Sequence, residues 1–365
     1  MSSSTSDSSA TGKTVRVAII GYGLAGAIFH APLISSTPGM AVAAIVTSNA
    51  RRQEHARRDY PAAAILASAD ELWRHPARYD LVVVAAPNRT HVSLGLAAMN
   101  AGLPVVIDKP LAASVADAEQ LIAASRSTGQ LLTVFQNRRW DNDFLTVRQL
   151  IASDLLGPIT RFESRYERYR AQPRPHAWRE FAAPEEAGGL LYDLGSHLID
   201  QAVQLFGRPT RVYAEMDQRR ANVQVDDDTF VALHFADGVR AHLWMSVVAR
   251  LQGPRMRLLG LHGTYEKWGL DPQEEALHAG MRPGDAGWGV EPRDHWGRLS
   301  TEVHGVRIDS PIETLHGAYE HFYAQLHHAL TRGAPPPVDP TEVLTALQII
   351  EAAQRSAQTG NVVEL

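Results

Sequence analysis

The sequence predicts an α/β protein in two parts: an N-terminal parallel sheet covered by helices, then a C-terminal α+β part with a mainly antiparallel open sheet. Three observations carry that reading. Residues 15–135 alternate short apolar runs with helix-length segments, as strands buried on both faces do. The first run ends directly in Gly21-Tyr22-Gly23-Leu24-Ala25-Gly26. From residue 161 the strands lengthen and alternate, with hairpin signals and no helices between them, which points to antiparallel pairing.

In chain order, residues 15–20 form a continuous apolar strand, and residues 25–35 an apolar-rich helix opened by the glycine turn. Strands are expected at 41–46, 63–66, 81–85, 105–107 and 131–135, with helices at 50–58, 91–101 and 113–127 between them. In the second part strands are expected at 161–169, 211–216, 229–235, 239–247 and 256–261, with an Asp237-Gly238 turn joining the third and fourth. Amphipathic helices at 315–331 and 340–358, separated by Pro335-Pro336-Pro337, close the chain. The resulting domains are 14–137 and 138–365, after a disordered tail at 1–13. That tail is rich in Ser and Thr, with neither the apolar stretch of a secretory signal nor that of an anchor.

Composition narrows the function. With 365 residues, two domains are expected. A net charge of -5 gives no basic field for nucleic acid. Zero cysteines exclude disulfides, thiolate metal sites and cysteine nucleophiles. No apolar run approaches the roughly 18 residues of a membrane span, so the expected compartment is the cytoplasm.

A strand, a G-x-G-x-x-G turn and a helix in that order form the context of a Rossmann dinucleotide-binding domain. Gly21 allows the tight turn, Gly23 lets the backbone approach a pyrophosphate, and Gly26 lets helix pack on strand. The helix N-terminus offers N–H groups to phosphate, so Tyr22, Leu24 and Ala25 join the glycines as candidate cofactor contacts. Pro87, Asn88, Asp108, Lys109, Gln136 and Asn137 fall just past strand ends, where the ligand crevice of such a sheet lies. His91, opening the next helix, is placed with them. Turn chemistry accounts equally well for Pro87-Asn88.

Cofactor choice is read from an absence. NAD-binding folds place an acid at the end of the second strand, whereas this chain has Thr47-Ser48-Asn49-Ala50-Arg51-Arg52, and its next acid is Glu54. Ser48, Asn49, Arg51 and Arg52 suit a 2'-phosphate, which favours NADP, with NAD as the alternative. The two arginines could also be no more than the solvated start of a helix.

Two further features bear on chemistry. The chain has three lysines against 32 arginines, yet Lys109 stands at a strand end facing the crevice, where a compact ammonium behaves unlike a planar guanidinium. In the second part, Asp193 and His197 share a face if residues 188–206 are helical. A carboxylate beside an imidazole would orient it and favour its protonated form, as in a general base. The pair could instead ligate a metal, although no third ligand stands nearby, or His197 could be a hydrogen-bonded core histidine.

With Gly21-x-Gly23-x-x-Gly26, Asp108-Lys109-Pro110 and Asp193 four residues before His197, the chain resembles the Gfo/Idh/MocA oxidoreductase family from Val15 to its C-terminus. The segments 136–144, 192–197 and Trp288-Gly289 look most like its NADP-dependent scyllo-inositol dehydrogenases. The family's usual Glu-Lys-Pro is Asp108-Lys109-Pro110 here, which keeps the lysine and shortens the acid. The resemblance implies that Lys109, Asp193 and His197 are the catalytic group. His197 would take a hydroxyl proton while hydride leaves the same carbon, Lys109 would stabilise the reacting oxygen, and Asp193 would orient His197 or bond a neighbouring hydroxyl.

Tyr166, Tyr169, Arg170, Trp178 and Tyr319 are candidate substrate contacts, since aromatic faces with polar tips suit a sugar ring. Arg138 and Arg139 either touch substrate or tie the domains. The expected function is NADP-dependent oxidation of a cyclic polyol or sugar, foremost scyllo-inositol to 2-keto-myo-inositol. The alternatives are reduction of another keto- or anhydro-sugar, and a non-catalytic NADP-binding regulator. The open sheet and the resemblance imply a homodimer or homotetramer.

Overall fold

The computed structural model describes residues 13–173, 180 and 186–365. Its first strand, β1 (Val15–Ile20), is followed across the glycine turn by a π-helical segment, Ala25–His30, that continues as α1 (Ala31–Ser35). Then come β2 (Met40–Val46), α2 (Ala50–Asp59), β3 (Ala64–Leu66), α3 (Ala69–Trp73), β4 (Leu81–Val84), α4 (His91–Asn100), β5 (Val105–Asp108), α5 (Val115–Thr128) and β6 (Leu132–Phe135). All pair in parallel, in the order β3-β2-β1-β4-β5-β6.

β4 and β6 are buried throughout, and β1 at every position but Arg16. Burying each Val or Ile contributes roughly 1.5–3 kcal/mol, so these strands read as unbroken apolar runs. Strand order reverses beside β1, which opens a crevice beyond the carboxyl ends of β1 and β4. The sequence reading missed α3. Ser68 and Glu71 form a capping box at its start, a signal that outweighs the helix's short length.

The second half begins with α6 (Asn142–Ala152), also unforeseen, and β7 (Ile159–Glu167). A second π-helical segment, Leu191–Gly195, leads into α7 (Ser196–Phe206). Beyond it lie β8 (Arg211–Asp217), β9 (Asp228–His234), β10 (Arg240–Ser246), β11 (Met256–Gly260), β12 (Gly263–Lys267), α8 (Gln273–His278), β13 (Arg298–Val303) and β14 (Val306–Pro311). The chain ends in α9 (Glu320–Arg332), α10 (Pro340–Thr359) and β15 (Val363–Glu364).

These strands form one nine-stranded sheet, β14-β13-β12-β11-β7-β10-β9-β8-β15. Every pairing is antiparallel except β7 with β10. The β9–β10 hairpin turns at Asp237-Gly238, where Gly238 has φ +89°. The parallel contact arises because α7 and β8 intervene between β7 and that hairpin, a crossover that hairpin signals do not reveal.

The C-terminal helices join the two sheets. On α10, Val343, Ala346, Leu347 and Ile350 recur at helical spacing and are buried. The same helix reaches β8 through Ser356, whose Oγ accepts from Ala214 N at 3.0 Å. It reaches the first domain through Glu351, which accepts from Val115 N at 2.8 Å. From α9, the Tyr323 hydroxyl lies 2.6 Å from His30 Nδ1. Among the described residues, no helix is long and apolar enough to cross a membrane.

Candidate active site

The glycine turn is shaped by close backbone approaches. Gly21 has φ +99°, and a Cβ there would collide with the Ala85 carbonyl at the end of β4. A Cβ on Gly26 would strike the Gly21 carbonyl, so the helix seats directly on the turn. Gly23 differs. The atoms near its notional Cβ belong to the Arg52 guanidinium, 3.6 Å away, which leaves a cradle of backbone N–H groups overlooked by a cation. That arrangement fits a dinucleotide pyrophosphate.

Tyr22 is buried, and its ring meets His55 and Tyr60 edge-on at 5.6 and 6.5 Å, so its side chain supports the turn from below. Leu24 is half-exposed and Ala25 partly buried. Ser48, Asn49, Arg51 and Arg52 are exposed on the approach to α2. The Asn49 side chain caps that helix by accepting from Arg52 N at 3.1 Å. The cap fixes the start of the helix that carries Arg51 and Arg52.

The loops after β4 and β5 form the next wall. Pro87 is exposed, while Asn88 is buried and donates from Nδ2 to the Glu186 carbonyl of the second half at 2.7 Å. Arg89 pairs with the Glu186 carboxylate. His91 is fully buried, its ring nitrogens 2.8 Å from the Pro110 carbonyl and 3.0 Å from that of Ala86. It therefore braces the two loops from beneath the crevice. Asp108 accepts from the main-chain N of Lys109 at 2.9 Å.

Lys109 crosses from the end of β5 to the second half. Its Nζ donates to the Asp193 carboxylate at 2.8 Å and to the Asp193 carbonyl at 2.6 Å. Asp193 lies in the π-helical segment before α7, and π turns often occur where a helix serves function. The same is true of the π segment after the glycine turn. Asp226 sets the start of the second: its carboxylate accepts from Leu191 N at 2.8 Å and from Thr229 Oγ1 at 2.6 Å. Gly189, at φ +90°, leaves that carboxylate room. Sequence reading missed Asp226 because its partner lies 35 residues away.

His197 lies in the first turn of α7, 4% exposed, with Nδ1 3.1 Å from Gln136 Oε1 at the end of β6. Its pKa is pushed well below the usual imidazole value by burial, then by the Lys109 and Arg138 cations, against an upward pull from Asp193. The expected pull of Asp193 toward the protonated ring is present, but burial and the two cations outweigh it. The Asp193 carboxylate pairs with Lys109, and burial outweighs its field. Asn137, next to Gln136, is also buried.

The candidate substrate residues divide. Tyr166 and Tyr319 are buried and turn their hydroxyls to Asp141, at 3.3 and 2.7 Å. The Tyr166 ring also lies under the Arg138 and Arg255 guanidiniums, at 5.1 and 4.2 Å. Both tyrosines thus belong to a buried network around Asp141, whose carboxyl is pushed up to about 8, chiefly by burial. Tyr169 is largely exposed, stacked under Arg250 at 3.9 Å, and Arg170 pairs with Glu180 at 3.2 Å. Trp178 lies outside the described residues.

Arg138 donates to Glu274 at 2.6 Å and to the Tyr319 hydroxyl at 3.3 Å. Arg139 pairs with Asp200 and Glu342, each at 2.6 Å. Both arginines therefore tie the turn after β6 to the second half. Gln201 completes the network, donating to the Arg138 carbonyl at 2.9 Å and accepting from Arg255 at 3.2 Å. Among the described residues, no group of three His, Asp or Glu is arranged to hold a metal ion.

Comparison with known proteins identifies the family of both halves. The sequence matches a model described as oxidoreductase family, NAD-binding Rossmann fold, over residues 15–136, and the C-terminal alpha/beta domain of the same oxidoreductase family over residues 148–365. The uncharacterized oxidoreductase YdgJ of Escherichia coli is 37% identical over 345 residues, 94% of this chain and 96% of that protein. The scyllo-inositol 2-dehydrogenase (NADP(+)) IolW of Bacillus subtilis is 36% identical over 352 residues, 96% of each. Among solved structures, that of yvaA from Bacillus subtilis superposes with a TM-score of 0.91 at 35% identity, covering 97% of this chain and 99% of that one.

Proposed function

This chain belongs to the Gfo/Idh/MocA family of oxidoreductases, and from that premise we propose that it moves hydride between a secondary hydroxyl carbon of an uncharged cyclic polyol or sugar and NADP. Scyllo-inositol and its 2-keto form are the foremost pair. The observation that carries this reading is the meeting of Lys109, Asp193 and His197 beyond the strand ends of the nucleotide-binding sheet. The relative named as a scyllo-inositol 2-dehydrogenase (NADP(+)) supports the choice of substrate and cofactor.

Charge pairing supports an uncharged substrate. Among the described residues, each cation named at His197 has an acidic partner: Lys109 with Asp193 at 2.8 Å, Arg138 with Glu274 at 2.6 Å, and Arg255 with Asp143 at 3.1 Å. Cations already paired suit hydroxyl groups better than a phosphate or carboxylate, which would need a cation in excess.

The glycine turn, Arg52 and the loops after β4 and β5 would hold the dinucleotide, whose nicotinamide supplies the hydride acceptor. His197, held neutral by its surroundings, takes the substrate's hydroxyl proton. The Lys109 ammonium donates to the oxygen as negative charge develops there. Asp193 fixes the lysine in place. In reduction the same residues act in reverse, with His197 as proton donor.

Initial rates of NADP reduction, with NAD in parallel, across scyllo-inositol, myo-inositol and aldoses test the reading. Turnover of scyllo-inositol with NADP is the expected result, and absence of turnover on every polyol would sink it. The cofactor choice has its own test. Arg52→Ala is expected to weaken NADPH binding roughly 10- to 100-fold, the scale of a hydrogen bond to a charged group, and to weaken NADH binding distinctly less, because only the pyrophosphate cradle that Arg52 overlooks is common to both nucleotides. Equal loss for both nucleotides, read by fluorescence titration, would remove Arg52 from 2'-phosphate recognition.

A further inference from the structure

We propose that Gln136 is a positioning residue: its amide oxygen holds His197 in the tautomer with hydrogen on Nδ1, which leaves Nε2 to take the substrate's proton. The proposal rests on the reading of His197 as the base. With its amide oxygen turned to the ring at 3.1 Å, Gln136 can only accept, and Nδ1 then carries the hydrogen. A neutral ring then has its acceptor at Nε2. Asp193, expected to orient the ring or to bond a neighbouring hydroxyl, pairs with Lys109.

Gln136 is built for this task. It is 2% exposed, and its main chain is fixed on both sides: its N–H donates to Val134 at 2.9 Å, and its carbonyl accepts from Arg139 N at 3.2 Å. It stands at the carboxyl end of β6, and the bond it makes reaches 61 residues on to the packed start of α7. An amide orients an imidazole as a carboxylate would, without adding the charge that stabilises imidazolium.

Among the described residues, the charged groups that act on the ring are Lys109 after β5, Arg138 after β6, Arg255 before β11 and Asp193 on its own helical turn. Three are cations and one is an anion. With burial they favour the neutral ring, and a neutral partner at Nδ1 is consistent with that balance. A glutamate there would oppose it.

The test uses protein labelled with 15N-histidine, without cofactor, in which the His197 ring signals are those missing from His197→Asn. Wild type should show a neutral Nδ1–H ring from pH 8 to below 6. Gln136→Leu should lose that pattern and lower kcat roughly 10- to 100-fold, a partial loss of the roughly 10² to 10⁴ that general acid–base catalysis supplies, while NADPH affinity holds. Gln136→Glu, nearly isosteric, should keep the tautomer and raise the ring's titration and the acid limb of kcat/KM by about one pH unit or more.

A wild-type ring protonated at Nε2, or an unchanged pattern in Gln136→Leu, overturns the proposal. If the leucine variant fails to fold, an unmoved titration in Gln136→Glu overturns it equally. The base assignment fails separately, through unchanged turnover in His197→Ala.

Discussion

His197→Ala is expected to lower kcat for polyol oxidation by a factor on the order of 10² to 10⁴, the range general acid–base catalysis supplies, with NADPH affinity within about twofold of wild type. The two readouts separate because His197 stands at the start of α7 on the second half, while the glycine turn and Arg52 lie on the first. Stopped-flow hydride transfer and fluorescence titration read them independently. Unchanged turnover would remove His197 from the chemistry.

The pH dependence has a definite sign. Oxidation needs the ring unprotonated, and burial with the Lys109 and Arg138 cations holds its pKa well below 6.5. The rate limit set by His197 should therefore appear only well on the acid side of 6.5, where protonation overtakes the neutral ring. In the reducing direction the neutral ring must first gain the proton that it gives to the carbonyl, so reduction should be favoured by acid. Profiles of kcat/KM in both directions test this pair of slopes.

Which parts of this arrangement could be read from sequence follows from how locally each is encoded. β1, β4 and β6 are short, mostly apolar runs buried on nearly every residue, and such runs declare themselves. The glycine turn is equally local, because its constraints fall within Gly21–Gly26 and one neighbouring strand end. By contrast β14 is exposed along its whole length, and its alternation of Val306 and Ile308 with Arg307 and Asp309 is too short to stand out. β13, its partner, was missed with it. α6 carries Asn142, Asp143 and Thr146 buried on its inner face, so its apolar period is broken by polar residues that serve the network.

The site shows the same division. Lys109 and His197 stood out by residue type and local motif, but their partners lie 84 and 61 residues away. The motif spacing suggested Asp193 beside His197, and the fold brings Asp193 to Lys109. Tyr166 and Tyr319 were read as sugar contacts from their aromatic faces. Their hydroxyls turn to Asp141, whose burial no periodicity reveals. Pairings of this kind are set by how the two sheets meet through the turn after β6 and the C-terminal helices.

Lys109→Met is the second large effect, and it tests two claims that a single substitution confounds. Loss of the ammonium should cost a factor of about 10² to 10³ in kcat, as loss of a donor to a developing oxyanion does. It also takes from Asp193 a partner 2.8 Å away in a site where the two side chains are only 13% and 17% exposed. Breaking such a pair destabilises by about 3 kcal/mol or somewhat less in a partly solvated site. The combined variant Lys109→Met, Asp193→Leu should recover most of that stability in a denaturant titration, since the stranded carboxylate is gone, and yet remain as slow as Lys109→Met. Lys109→Arg should retain stability and still lose turnover, because a planar guanidinium cannot occupy the point occupied by the ammonium. A double variant that regained both stability and turnover would reduce Lys109 to a structural clamp for the helical turn that carries Asp193.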